Sequence, residues 1–217
     1  MQIKFEAIDS TRKAYFNNLA KVANFGYLAG GTALALQIGH RKSYDFDIFC
    51  KEEIGNKLIK RVQEIFPIRD VLIRNGDEFS FITQDNVKFS FIYYPFDLSR
   101  FVIKEKDMPI NILSPEGIAF AKAYTLNRRA SWRDYLDLYF IFKKQLISLK
   151  EVVKKSKEIY GEIFNEKLFY AQLLYTDDIS DGEIEATEMI KDKVRREEVE
   201  AFFQKIIKEE MRSDWGS

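Results

Sequence analysis

The stretch Tyr27-Leu-Ala-Gly-Gly-Thr-Ala-Leu-Ala-Leu-Gln-Ile-Gly-His-Arg-Lys-Ser-Tyr-Asp-Phe-Asp-Ile-Phe49 decides how the chain is read. A short apolar run reaches Gly30 and Gly31, which stand before Thr32 and a compact apolar segment that reads as a helix. Residues 32 to 44 then separate the glycines from Asp45, and Asp47 follows two positions later among Phe46, Ile48 and Phe49. Carboxylates at i and i+2 of a strand share one face. Crowded there, they repel each other unless a cation sits between them. Backbone N–H groups exposed by glycines at a helix start make a cradle for phosphate. The two features together imply a site for a metal-bound nucleoside triphosphate: Gly30, Gly31 and Thr32 on the phosphates, Asp45 and Asp47 on Mg²⁺. The rival reading is a tight turn followed by two surface acids.

Working outward, residues 9–25 read as a helix capped by Asp9 or Ser10 and stopped by Gly26. Tyr27 to Ala29 is a short buried strand. The glycines make a turn, Thr32 to Ile38 a buried helix ended by Gly39, and Tyr44 to Phe49 the next strand. Glu52 to Phe66 is an amphipathic helix, closed by Pro67. Residues 69–74, 79–83 and 87–93 read as strands, the last two forming a hairpin around Gln84-Asp85-Asn86. In 87–93, Val87, Phe89, Phe91 and Tyr93 share one face, and Lys88, Ser90 and Ile92 the other. One or two short strands complete 101–112. From Ser114-Pro115, a strong helix start, the pattern is helical: to about 127, then 132–144, 149–160, 165–174 and 197–211, with an acidic loop at 176–182. These patterns predict an α/β domain at 1–112 and a helical bundle domain at 113–217, packed to form a cleft.

Composition excludes several chemistries. Cys50 is the only cysteine and His40 the only histidine, so neither a disulfide within the chain nor a His- or Cys-built zinc site is available. No serine has nucleophile-elbow context. The first residues lack a signal peptide's apolar core, no run is long enough to span a membrane, and the composition fits a cytoplasmic protein. Formal net charge is zero, but unevenly spread. Residues 101–160 hold 12 Lys/Arg against 7 Asp/Glu, and residues 161–217 hold 8 against 15. The basic middle, with Arg128, Arg129, Lys143, Lys144, Lys154, Lys155 and Lys157, reads as a nucleic-acid track or as solvated helix faces.

Three further features carry chemistry. Lys122 is the only charge between Glu116 and Arg128 in an apolar helix, either a snorkelling rim lysine or a cation for phosphate. Arg133, Asp134 and Asp137 fall at helical spacing, as a satisfied ion pair or part of a site. Near the acid pair, Arg41 and Ser43 could reach nucleotide phosphate, Arg41 as a bidentate guanidinium. His40 reads as a structural histidine before a general base.

Small-Gly-Gly-Thr, a spacer, then Asp-x-Asp resembles the signature of polymerase-β-like nucleotidyltransferases. The fuller string from Leu28 to Asp47 resembles the AbiEii/AbiGii toxin family (the former DUF1814 group). That resemblance continues through Leu113-Ser-Pro-Glu116, Lys122, Arg133-Asp-Tyr-Leu-Asp-Leu138, Asp177-Asp178 and Glu197-Glu-Val-Glu-Ala-Phe-Phe203. It implies an α+β fold: a polymerase-β-like mixed sheet with flanking helices, followed by a C-terminal helical bundle. It also implies transfer of NMP from an NTP, with Mg²⁺, to a hydroxyl acceptor. RNA, plausibly tRNA, is the acceptor implied, within a type IV toxin–antitoxin or abortive-infection system with a cognate antitoxin protein. The implied catalytic residues are Asp45, Asp47, Lys122 and Asp137. Asp137 would bind metal, act as base or position the lysine, and Arg133 would meet phosphate or a structural partner. One departure stands out. Ser90 occupies the place where many polymerase-β-like enzymes carry a third carboxylate. This leaves two rivals: a catalytically reduced nucleotide- or partner-binding protein, and an enzyme that modifies a protein hydroxyl.

Overall fold

The computed structural model describes residues 2–126, 128, 131–191 and 193–214, the last two without their side chains. Arg129 of the basic middle lies outside the described residues. Contacts divide the chain into two compact units, Met1–Ser114 and Pro115–Ser217.

The first unit is built on a seven-stranded mixed sheet. Helix α1 (Ser10–Asn18) is capped by Asp9, whose side chain accepts from the Arg12 N–H. It stops well before residue 25, passing into a 3-10 turn at Leu19–Lys21. Gly26 therefore does not end that helix. It opens β1 (Gly26–Ala29), where a Cβ would lie 2.3 Å from the Phe49 carbonyl oxygen. Helix α2 (Gly30–Ile38) starts on the glycines themselves, and Gly39 ends it in the left-handed region (φ 61°), its N–H donating to Ala35 O. Then come β2 (Phe46–Cys50), α3 (Asn56–Ile65), β3 (Ile68–Arg74), β4 (Glu78–Thr83), β5 (Lys88–Tyr93), β6 (Val102–Ile103) and β7 (Ile112–Leu113). The spatial order is β3-β4-β5-β2-β1-β7-β6. β2 runs antiparallel to β1 and parallel to β5.

Strand alternation explains what each face of the sheet does. Phe46, Phe89 and Phe81 stand side by side in register, as do Ile48, Phe91 and Phe79. Both rows point to one face and are fully buried. Phe46 stacks on Phe89 at 4.9 Å, and Phe81 on Phe89 at 5.4 Å. Phe66 after α3 and Tyr15 of α1 close over Phe89 at 4.6 and 5.6 Å. Such aromatic pairs add about 0.5–1.5 kcal/mol each beyond the area they bury. The row between these two belongs to the opposite face: Ala29, Asp47, Ser90 and Ser80. One strand thus contributes alternately to a greasy core and to a polar row.

The second unit is helical: α4 (Pro115–Leu126), α5 (Trp132–Lys143), α6 (Leu149–Tyr160), α7 (Glu166–Leu173), α8 (Asp181–Glu185) and α9 (Arg196–Asp214). The α6 start is a full capping box between Ser148 and Glu151. Helix α8 is one short turn within a stretch that reads as an acidic loop. It forms because Ser180 caps it, accepting from the Glu183 N–H. Glu183 in turn accepts from the Trp132 N–H and the Ser131 hydroxyl at the α5 start. The acid that reads as loop charge serves as a helix cap at long range.

Candidate active site

In the first unit the site is assembled at the junction of β1, α2 and β2. Ala29 and Asp47 are register partners, and the chain turns into α2 at the next residue, Gly30. Gly30 has φ +64°, and a Cβ there would lie 2.3 Å from Asp47 Oδ2. The Asp47 carboxylate therefore rests directly against the bare Cα at the N-terminus of α2. Helix dipole and first-turn N–H groups favour negative charge at that place. Gly30, Gly31, Asp45 and Asp47 are all partly exposed.

The loop that delivers Asp45 is tied down from several sides. The Thr32 hydroxyl donates to the Asp45 carbonyl in a short contact and lies 2.7 Å from Ser43 Oγ. Ser43 N–H donates to Ala7 O at 2.9 Å. Arg12 Nε donates to Tyr44 O at 2.8 Å and its guanidinium covers the Tyr44 ring. Thr32 and Ser43 are buried, and their hydroxyls meet each other and the loop backbone. Arg41 is also buried, at 2% exposure, with a 3.0 Å bond from its guanidinium to Lys42 O. His40 is buried at 4%. Thr32, Ser43 and Arg12 thus tie the loop that leads to Asp45.

Ser90 is Asp47's register partner in β5. Across from Ser90 stands Ser80, fully buried, whose hydroxyl has no hydrogen-bond partner. Ser80 went unnoticed in the sequence. The hairpin turn at residues 84–86 would have placed it opposite Ser90. Among the described residues, no group of three His, Cys, Asp or Glu side chains is arranged to hold a metal ion. The Asp47 carboxylate at the start of α2, with Asp45 two residues earlier in the loop that enters β2, offers hard oxygen donors of the kind a divalent cation takes alongside phosphate and water. Cys50 is excluded as a nucleophile, because burial pushes its thiol up to about 12.

In the second unit, Lys122 on α4 is clasped by two acids of α5. It forms a short ion pair with Asp134 and lies 2.8 Å from Asp137 Oδ2. The Lys122 side chain is 11% exposed, Asp134 7% and Asp137 fully buried. Asp134 Oδ2 is buried with no hydrogen-bond partner. Asp134 is the residue the sequence reading undervalued. Its i,i+3 spacing to Asp137 on a helix otherwise buried around it was the available signal. Arg133, which helical spacing places near the same strip, is instead exposed.

Comparison with known proteins gives this geometry its context. A putative nucleotidyltransferase from H. pylori superposes with a TM-score of 0.56 at 22% identity, over 91% of this chain and 92% of its own. MenT4, a nucleotidyltransferase toxin from Mycobacterium tuberculosis H37Rv, does so with 0.57 at 17% identity, over 89% and 80%. The fold is therefore that of the polymerase-β-like nucleotidyltransferases. An uncharacterized protein of Aquifex aeolicus (strain VF5) is 34% identical over 205 residues, 88% of this chain and 93% of the relative. The family model described as nucleotidyl transferase AbiEii toxin, type IV TA system, matches residues 16–217, and the chain belongs to that family. It is a nucleotidyltransferase of the toxin class. No helix among the described residues is long and apolar enough to cross a membrane.

Proposed function

We propose that this nucleotidyltransferase transfers NMP from an NTP to a hydroxyl of RNA, tRNA being the first acceptor to test, with Mg²⁺ held by Asp45 and Asp47. The observation that carries the reading is the Asp47 carboxylate lodged against Gly30 at the start of α2. One backbone junction supplies both a carboxylate for a cation and N–H groups for phosphate. The bound cation would neutralise phosphate charge and polarise the attacking hydroxyl. The acceptor oxygen forms its bond to the α-phosphorus as the bond to the β-phosphate breaks. Pyrophosphate leaves, and the hydroxyl proton passes to water.

Gly30 and Gly31 receive triphosphate oxygens on their N–H groups. The tied hydroxyls of Thr32 and Ser43, with buried Arg41, keep the Asp45 loop in the shape this requires. In the second unit, Lys122, held by Asp137, and exposed Arg133 are the candidate phosphate-binding cations. Beside Lys122, Asp134 Oδ2 is a buried acceptor left unfilled, which a purely structural ion pair would not need. Membership of the toxin class supports growth arrest through the modified RNA, relieved by a cognate antitoxin, as the outcome.

The test is transfer from each labelled NTP, with Mg²⁺ and total tRNA. Label should appear in RNA, and Asp45→Ala or Asp47→Ala should cut the rate on the order of 10²–10³-fold. Label on protein instead of RNA would move the acceptor to a protein hydroxyl. NTP binding without any labelled acceptor would sink the catalytic assignment and favour the binding protein that Ser90, beside Asp47, brings to mind.

A further inference from the structure

The two edges of the sheet differ sharply. The β6 edge is two residues long, the short, blunted kind that resists pairing. The β3 edge is seven residues long, and every residue after Ile68 is exposed. Its centre is apolar: Val71, Leu72 and Ile73 are 48, 49 and 39% exposed. Three adjacent exposed hydrophobics on an open strand edge mark an interaction surface, since that edge offers backbone hydrogen bonds and apolar contact together.

The charges around this centre identify the partner. Asp70-Val-Leu-Ile-Arg74 is self-complementary when read against itself in the antiparallel direction. We propose that β3 is a homodimer edge, pairing with β3 of a second copy of this chain about a twofold axis at Leu72. In that register Leu72 faces Leu72 of the second copy, and Val71 faces its Ile73. Asp70 faces Arg74, and the symmetry makes that charge pair twice. Neighbouring registers lose it. With the axis at Val71, Asp70 meets Leu72 and Arg74 meets Ile68. With the axis between Val71 and Leu72, Arg69 meets Arg74, which is repulsive. The charges thus select one register as well as one partner.

Asp70 already accepts from Arg69 Nε at 2.6 Å through Oδ2, leaving Oδ1 to receive a guanidinium across the interface. β3 also carries register shifts against β4 between Ile68 and Asp70 and between Val71 and Ile73. Bulges of this kind add twist, which disfavours flat stacking of many copies. With one long edge per chain, assembly closes at two. A single ribbon of this length buries less than a standard stable interface, so dimerisation depends on concentration.

Sedimentation velocity of the full chain from about 1 to about 100 μM should show monomer passing to dimer. Asp70→Arg and Arg74→Asp should each remain monomeric, because each places like charges opposite one another twice. Mixed together, the two variants should regain dimer mass, since arginines on one chain then face aspartates on the other. Leu72→Lys, a surface change that leaves the charge pairs alone, should also be monomeric. A wild type that stays monomeric throughout, a dimer that persists in these variants, or a mixture that fails to reassociate would overturn the proposal.

Discussion

At Gly30 one missing Cβ serves two purposes. The backbone takes a left-handed φ, and the Asp47 carboxylate occupies the space a side chain would need. Gly30→Ala should therefore cost about 1–3 kcal/mol in a denaturant titration through backbone strain alone. It should also abolish NMP transfer, because Asp47 must move away. Full activity in that variant would remove Asp47 from the proposed site. A second residue-scale consequence concerns Cys50 and Tyr27, opposite each other's neighbours in β2 and β1. Burial pushes both acids up to about 12, with the charge of Asp97 adding to the effect at Tyr27. A raised folded pKa means that the unfolded chain releases these protons first. Their contribution to stability is complete below the unfolded values, about 8.5 and 10, and is lost as pH rises toward 12. Urea midpoints should fall from about pH 9 upward, and Cys50 should ignore a thiol reagent in the native protein yet react once unfolded. A flat stability profile between pH 8 and 11 would contradict this. The Gly-Gly and Asp-x-Asp pattern was legible because its chemistry is local. The contact between Gly30 and Asp47 was not, since it depends on the register of two strands.

At the scale of elements, α4 and α5 present a small electrostatic unit: Lys122 between Asp134 and Asp137. Removing the cation alone takes the Lys122 partner from two buried acids. Lys122→Met should destabilise the protein by about 3–5 kcal/mol and abolish transfer. Replacing all three by apolar residues, Lys122→Met with Asp134→Leu and Asp137→Leu, should recover much of that stability while activity stays absent. Thermal melts paired with transfer assays separate the two contributions, and an active triple variant would make the cluster structural only. Helical spacing in the sequence puts Arg133, Asp134 and Asp137 near one another but cannot say which side of the strip faces inward. Burial decides it, turning Asp134 and Asp137 toward Lys122 and Arg133 toward solvent. Strand periods were similarly sufficient for the Phe89 and Phe91 face, whereas Gly26 and the capped α8 depended on long-range contacts that no local pattern encodes.

Over the whole molecule, equal numbers of basic and acidic residues make any affinity for RNA a matter of local charge. The basic middle of the sequence reads as a nucleic-acid track or as solvated helix faces, and some of its cations already have acidic or aromatic partners. Lys155 pairs with Glu158 at 2.6 Å, Lys157 with Glu166 in a short contact, and Lys143 with Glu198 at 3.4 Å. Arg128 lies 3.6 Å over the Tyr124 ring. Acids distant in sequence, from the net-negative last segment, supply two of these partners. If RNA is the acceptor and this basic segment holds it, Lys144 and Lys154 are the foremost candidates for its phosphates. Each phosphate contact to a single strand contributes about −0.7 to the slope of log K against log salt. The slope for tRNA should accordingly be shallow, about −2, as two to three contacts require. Lys144→Glu with Lys154→Glu should flatten it by about 1.4 and weaken binding without changing the affinity for NTP. A steep slope, or one indifferent to these two lysines, would place the acceptor on another surface. NTP affinity, measured in parallel, would show whether Asp45 and Asp47 still do their part.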